Sequence, residues 1–297
     1  MATSGQETIR GINIDKLAKG FADEANVFKK YLTTAKTDSR EMRWYKKTSG
    51  YITGPTTTAI TASLISNTAS GAKPVVAEQT WTRQTSYIRK YFVESPTITI
   101  EDIRDTDIDV LGGNIRDLVI AVKNQVDQRI YTVVSDTLGT GGNANATAAT
   151  ATWDNATQAN VNIVKDIMTA KRKIRVAGYD PSNAVMFMNP LEYEYMLTNL
   201  IFTQGVNVTD FSSEKIRSGS IMSILGVDVV VSNNATTDSV TMLIPGRSAT
   251  WKQFMPITTA VIDDPGIGKK FRCWEEGEAL LTDPLSVSVI TNTTEAS

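Results

Sequence analysis

Three closely spaced glutamates, Glu275, Glu276 and Glu278, are the residues in this chain that most resemble a catalytic group. Two carboxylates flank the scissile bond in most glycoside hydrolases, so an enzyme using the carboxylates near Glu276 is one hypothesis. Adjacent strand residues point to opposite faces, which separates Glu275 from Glu276. The sequence favours solvated or ion-paired carboxylates at a strand edge.

Asp105, Asp107 and Asp109 have the spacing of the first ligands in a calcium-binding loop. Such a loop also needs glycine at its sixth position and glutamate at its twelfth. This chain has Val110 and Arg116 there. The aspartates are better explained as acidic residues that stabilise the start of a helix, and no metal site is predicted.

The segment Pro265–Lys270, which reads Pro-Gly-Ile-Gly-Lys-Lys, invites comparison with a phosphate-binding loop. Asp263 stands where the first glycine is needed, and Lys270 replaces the Ser or Thr that holds magnesium. We therefore predict a turn here and no cofactor.

Composition excludes several classes of enzyme. The chain has no histidine and one cysteine, Cys273, which rules out histidine-dependent triads, imidazole zinc sites and internal disulfides. Its 297 residues, 41% of them hydrophobic, predict one large domain or two joined domains with a substantial core. We do not expect an enzyme.

A row of aromatic and cationic side chains is better suited to binding a partner. Alternate positions of a strand predicted over residues 80–93 carry Trp81, Arg83, Tyr87, Arg89 and Tyr91. A hairpin without a consistent apolar face is marginal in water and needs something to lie upon. We predict a contact with another subunit. The alternatives are a hairpin folded over its own domain and a nucleic-acid-binding module using residues 81–91.

Residues 13–32 repeat apolar side chains at three- and four-residue steps, which predicts an amphipathic helix. Phe21 and Phe28 lie on its apolar face, which can dock on the chain's own core or on a partner subunit. Residues 1–50 carry ten Lys/Arg and six Asp/Glu, so they hold +4 while the whole chain holds −2. This asymmetry indicates a separate N-terminal surface.

The strongest helix signal places one long helix over residues 107–138, followed by a linker of small residues over 139–152. Residues 153–248 predict a compact α+β block. Its elements are a helix closing at Gly178, a buried strand over 184–188, a helix opened by Pro190, and strands over 224–231 and 240–244. The last two strands should pair or neighbour one another. Residues 250–291 predict short strands with Pro/Gly turns.

The sequence contains no run of about 18 apolar residues and no signal-peptide pattern at its N-terminus. We expect a soluble, unsecreted protein without a membrane partner.

Taken in order, these elements resemble the major capsid protein of tailed bacteriophages, which has the Hong Kong 97-type fold. An N-terminal helical arm, an extended ribbon and a long helix with a small-residue linker are similar to that family's arm, E-loop and spine helix. Three segments are more specific. They are the strand, Asn-Pro and helix of Val185–Tyr193, the segment Ser220–Ser232, and the strand Val240–Gly246.

The resemblance implies an α+β fold divided into an N-terminal arm (1–45), an extended β-hairpin or E-loop (46–100), a peripheral (P) domain with the spine helix (101–152 and 249–297), and an axial (A) domain (153–248). It implies self-assembly into hexamers and pentamers of an icosahedral shell around double-stranded DNA. The shell would be assembled in the host cytoplasm and would become part of the virion.

Scaffolding, portal and decoration proteins are the further partners that the resemblance implies. A cellular nanocompartment shell of the encapsulin type is the alternative within the same architecture. Some family members crosslink their shell with a covalent bond between Lys and Asn side chains. Lys73 and Asn292 do not align with that chemistry, and no crosslink is predicted. The candidate subunit contacts are Trp81, Arg83, Tyr87, Arg89, Tyr91, Phe21 and Phe28.

Overall fold

A computed structural model describes residues 27–49, 69–72, 80–105, 110–136, 145–155, 157, 160–204 and 223–294. The helices are α1 (Ile100–Asp105), α2 (Val110–Ser135), α3 (Ile163–Val176) and α4 (Pro190–Gln204). The strands up to the middle of the chain are β1 (Thr33–Lys36), β2 (Glu41–Ser49), β3 (Thr80–Tyr87), β4 (Arg89–Glu94), β5 (Ile98–Thr99) and β6 (Thr147–Ala148). The later strands are β7 (Val185–Met188), β8 (Ser223–Ile224), β9 (Val227–Val231), β10 (Ser239–Leu243), β11 (Thr250–Asp264), β12 (Gly268–Leu280) and β13 (Val287–Thr291).

Most of the helix predicted over residues 13–32, including Phe21, lies outside the described residues. Its described end is not α-helical, because Lys29–Tyr31 forms a short 3-10 turn and β1 begins at Thr33. β1 pairs in parallel with β11, so the chain enters the body as an added edge strand.

The predicted long helix is present as α2, which at about 1.5 Å per residue is about 39 Å long. Its N-terminal half packs through Ile115, Val119 and Val122 on a cluster with Phe271 and Cys273 of β12. Its C-terminal half packs on a second cluster that contains β7, β10 and β13 residues. The helix therefore joins the two large sheets.

The first large sheet has the order β1-β11-β12-β4, with β5 also paired to β12. The prediction of short strands over 250–291 is wrong in part, because β11 and β12 are 15 and 13 residues long and form one hairpin. The turn predicted within Pro265–Lys270 joins them at Pro265–Ile267, and Gly268–Lys270 already belongs to β12. Gly266 adopts a φ of 81° there, which suits glycine.

The second large sheet has the order β6-β13-β10-β7-β9-β8. Alternate residues of β7 enter different cores: Met186 and Met188 contact α3 and α4, whereas Val185 and Phe187 contact α2. A strand buried on both faces carries a continuous apolar run, which explains the sequence Val-Met-Phe-Met. α2 and α3 consequently lie on opposite faces of this sheet.

Two expectations for this sheet are wrong. The single strand predicted over 224–231 is a hairpin, since Leu225 and Gly226 adopt φ values of 51° and 74° and form a two-residue turn. β9 and β10 neither pair nor neighbour one another, because β7 pairs with both and lies between them. β13, which the prediction grouped with residues 249–297, pairs with β10 in this sheet.

The ribbon is a separate antiparallel pair of β2 and β3, with Glu41 opposite Tyr87 at one end, Ser49 opposite Thr80 at the other, and a register shift between Lys47 and Ser49. Its first strand begins at Glu41, inside the segment predicted as arm. The chain then breaks at Ile88, and β4 joins β12 in the first sheet. No helix among the described residues is long and apolar enough to cross a bilayer.

Candidate functional site

The three glutamates singled out in the sequence, the glutamate row (Glu275, Glu276 and Glu278), lie in the interior of the first sheet. β12 is flanked there by β11 and β4, so the row is not at a strand edge. The three residues are 0%, 3% and 3% exposed, so they are not solvated either. The ion-paired interpretation is confirmed, because each glutamate contacts at least one cation.

Glu275 holds the incoming N-terminal segment. The Lys29 ammonium donates to Glu275 Oε1, and both side chains are withdrawn from water, with 14% and 1% exposed. The same ammonium lies 5.2 Å from the centre of the Trp251 ring. A cation over an aromatic face gains further stabilisation, so Lys29 is held by two independent contacts.

Asp127 of α2 holds the backbone of the same segment. Its carboxylate accepts hydrogen bonds from the N–H groups of Val27 at 2.7 Å and Lys29 at 3.3 Å. Burial raises the pKa of Asp127, and these N–H donors and Lys123 act against that rise. The 3-10 turn is thus capped by a residue that is about 100 positions away in sequence.

Glu276 and Glu278 hold the root of the ribbon. Arg40, immediately before β2, lies 3.1 Å from Glu276, and Lys90 of β4 lies 3.6 Å from it. Glu278 accepts a hydrogen bond from Arg129 of α2 at 2.8 Å, and Arg89 lies 3.0 Å from its other oxygen.

Cations therefore flank both ribbon strands where they leave the body. The backbone completes this root, since the N–H of Ile88 donates to the carbonyl of Arg40 at 2.9 Å. Beside the root, a cleft of about 350 Å³ separates the ribbon from α2 and the end of β12. Trp44 and Tyr87 line its ribbon side, and Val133 and Leu281 line its body side. The ribbon is therefore fixed to the body at its base.

The structure divides the predicted subunit contacts into two groups. Trp81 and Tyr87 are 54% and 64% exposed, and Arg83 and Arg89 are also exposed. Tyr45, which sequence reasoning missed, is 59% exposed and lies opposite Arg83 in the ribbon. The three aromatic residues and Arg83 are accessible to a partner, whereas Arg89 is exposed but ion-paired with Glu278.

Phe28 and Tyr91 belong to the chain's own core. Phe28 is fully buried, with its ring centre 4.5 Å from that of Phe187 and 5.6 Å from that of Tyr131. Tyr91 packs towards Trp251, and burial raises the pKa of its hydroxyl. Their proposed role as subunit contacts is therefore replaced by an internal one. Phe21 lies outside the described residues.

Within the described ranges, no three His, Cys, Asp or Glu side chains are grouped so that they could hold a metal ion. Asp107, Asp109 and Lys73 lie outside those ranges. Asn292 is exposed just after β13, and the absence of a crosslink stays a prediction. The geometry of the site is that of a structural junction: buried carboxylates join the N-terminal segment, the ribbon and α2 to one strand.

Comparison with protein-family models gives a match to the phage capsid protein family over residues 97–287, about two thirds of the chain. The chain belongs to this family. It is a shell-forming major capsid protein, a structural component of the virion capsid that associates with copies of itself. Comparison with curated protein sequences gives no match.

Solved structures with the same fold include the capsid of cyanophage P-SCSP1u, with 13% identity, a TM-score of 0.65, and coverage of 90% of this capsid protein and 88% of that chain. The mature capsid of bacteriophage PhiM1 has 11% identity, a TM-score of 0.62 and coverage of 90% and 86%. A virus-like particle from Pyrococcus furiosus has 12% identity, a TM-score of 0.61 and coverage of 93% and 96%. These likenesses confirm the predicted Hong Kong 97-type fold. The family match favours the phage shell over the nanocompartment alternative.

Proposed function

We propose that this capsid protein forms hexamers and pentamers, encloses double-stranded DNA, and joins its neighbours through the ribbon. The shell is assembled in the host cytoplasm, with scaffolding, portal and decoration proteins as further partners. The chain acts without catalysis of its own. The observation that carries the proposal is the exposed two-stranded ribbon.

Within the described residues, the ribbon is a sheet of two strands with no third strand beside it. Three large aromatic side chains, those of Tyr45, Trp81 and Tyr87, are each more than half exposed on it. Tyr, Trp and Arg are the residues that most often anchor interfaces, because each combines a large contact area with a group that can form hydrogen bonds. An isolated hairpin of this kind gains stability when a second copy covers it.

The root of the ribbon suits a subunit that must fit two ring sizes. Arg40 and Arg89 are 66% and 57% exposed at their side chains, so their ion pairs can be remade at a slightly different ribbon angle. The adjacent cleft gives the ribbon room to move against α2. Rings of five and six copies require such small differences in the same contact.

We further propose that the first sheet, with most of α2, forms the peripheral domain and that the second sheet, with α3 and α4, forms the axial domain. The pairings of β6 and β13 support placing both strands with the axial sheet, because each lies within its ladder.

Negative-stain microscopy of the expressed wild-type chain tests the assembly, with closed shells or rings as the expected result. Trp81→Ala and Tyr87→Ala should each reduce the yield of shells and their resistance to dilution. Thr85→Ala is the matched control, because Thr85 is exposed on the same face of β3. Unchanged assembly in both aromatic variants would exclude the ribbon as an anchor. A monomer that binds oligonucleotide with steep salt dependence would instead favour the nucleic-acid module.

A further inference from the structure

The outer side of α3 carries a continuous stripe of exposed side chains. The α3 stripe consists of Lys165, Met168, Arg172, Arg175 and Val176, all exposed. With about 3.6 residues per turn these positions share one side of the helix. The opposite side is buried against the second sheet through Ile163, Ile167, Ala170 and Ile174.

The charge of α3 differs in sign from that of the rest of the chain. Residues 163–176 contain five Lys/Arg and one Asp, a net charge of +4, so the other 283 residues carry −2 − 4 = −6. The single acidic residue, Asp166, is buried, and it accepts hydrogen bonds from Thr150 and from the Trp153 indole. It does not face the stripe, so α3 itself contributes only cations and apolar groups there. Hydrogen bonds from Ser182 lower the pKa of the exposed Asp180, four residues after α3, and Arg175 and Lys171 are close enough to lower it further.

The cations of the stripe have no ion-pair partner within 4 Å in the part of the chain that the structure describes. Two flanking lysines are used locally, since Lys171 donates to the Leu225 carbonyl at 2.6 Å and Lys173 to the Ala146 carbonyl at 2.7 Å. Burial, and then the neighbouring Arg172, lower the pKa of Lys173. The helix surface is thus crowded with positive charge.

The apolar members of the stripe indicate what kind of partner fits. Met168 and Val176 are 51% and 58% exposed, and they lie between and beside the cations. A phosphate backbone would use the cations but gain nothing from these apolar groups, whereas a protein surface would use both. α2, on the other face of the sheet, exposes one cation and one anion, Arg116 and Asp117, beside neutral side chains such as Gln125 and Gln128. This difference in charge between the two helices indicates that the α3 side suits an anionic partner.

We propose that the α3 stripe is a subunit contact that packs on an acidic surface of a neighbouring copy of this chain. The proposal rests on the assembly into rings proposed above. Identical copies placed head to tail bring a +4 helix against a body that carries −6, so charge complementarity favours contact between different faces of the subunit over contact between like faces. Met168 and Val176 supply the dry centre of the contact and the cations supply its rim.

The test compares assembly of full-length variants by light scattering and sedimentation. Lys165→Glu/Arg172→Glu should raise the critical concentration for assembly about tenfold or more, because like charges then face each other. Arg172→Lys should assemble at a critical concentration close to that of wild type, because the charge is kept. Met168→Ala should raise the critical concentration several-fold. Lys36→Glu is the matched charge-reversal control, because Lys36 is exposed in β1 away from the stripe. Urea midpoints equal to wild type will show that the variants fold.

An unchanged critical concentration in the double variant, relative to Lys36→Glu, would overturn the proposal. So would a double variant that assembles normally but fails to retain duplex DNA, an outcome that assigns the stripe to nucleic acid. A wild-type chain that forms no oligomer would refute the ring assembly itself. Wild-type rings together with normally assembling stripe variants would refute only the contact proposed here.

Discussion

Removing the charge of Lys29 should destabilise the folded chain far more than removing the charge of its neighbour Lys30. Lys29→Met leaves Glu275 with its side chain 1% exposed and without its cation. Removing one partner of a buried ion pair costs about 3–5 kcal/mol, since the remaining charge is neither solvated nor paired. Lys30 is exposed on the same 3-10 turn, so Lys30→Met should change stability by about 0.5 kcal/mol or less.

The loss can be measured by urea unfolding of unassembled chain and by its melting temperature. At about 2.1 cal/mol/K per residue, 297 residues give an unfolding entropy of about 0.6 kcal/mol/K. A loss of about 3–5 kcal/mol therefore lowers the melting temperature by about 5–8 °C.

A double-mutant cycle identifies the cause of the loss. Glu275→Gln removes the stranded charge, so Lys29→Met/Glu275→Gln should recover most of the stability that Lys29→Met loses. The reasoning is refuted if Lys29→Met costs less than about 1 kcal/mol, or if the costs of the two single variants simply add in the double variant.

Three further predictions test the packing and the buried ionisable groups. Gly277→Ala should destabilise the chain by about 1–3 kcal/mol in urea unfolding, because a Cβ there would lie 2.4 Å from Trp251. Gly113→Ala should instead stabilise the chain by about 0.5–1 kcal/mol, because nothing lies within 4 Å of a Cβ at that helical position. Burial raises the folded-state pKa of Glu192, so the folded chain binds more protons than the unfolded chain just above the ordinary carboxyl range. The unfolding free energy should fall as pH rises through that window, and Glu192→Gln should flatten this slope. Burial raises the pKa of Cys273 to about 12, so its thiol should react with a disulfide reagent at pH 7.5 only after unfolding; reaction in the native chain would contradict its burial.

Elements with a strong local pattern could be predicted from the sequence. The apolar spacing of α2 is periodic because one side of the helix packs on both sheets. The strand β7 and the start of α4 at Pro190 follow from a continuous apolar run and from proline at a first helical position. The pattern that predicts each of these elements lies in residues that are close together in the sequence.

Elements that depend on tertiary contacts could not be predicted. The turn at Leu225 and Gly226 interrupts an apolar run, and only Gly226 indicates it in the sequence. Leu225 adopts a positive φ that is uncommon for leucine, so residue type gives no signal there. β7 lies between β9 and β10 although it precedes both in sequence, an order that only the complete sheet determines.

The sequence shows that the glutamate row is acidic, but it does not show what surrounds the row. Three glutamates within four residues of β12 indicate either solvent or cations, and the sequence alone does not decide between them. The deciding cations, Lys29 and Arg129, are 246 and 149 residues away. The burial of both glutamate and lysine follows from the closeness of β1, β12 and α2 in the folded chain.

The break at Ile88 explains why the predicted contact row divides into an accessible part and a buried part. Before it, β3 belongs to the free ribbon, and after it, β4 belongs to the first sheet, so alternate residues no longer share one environment. Arg89 and Lys90 at the break meet carboxylates of their own chain. These ion pairs hold the root of the ribbon, so both cations already have anionic partners. Partner binding must then depend on the side chains beyond the root, where Trp81 and Tyr87 meet no core of their own.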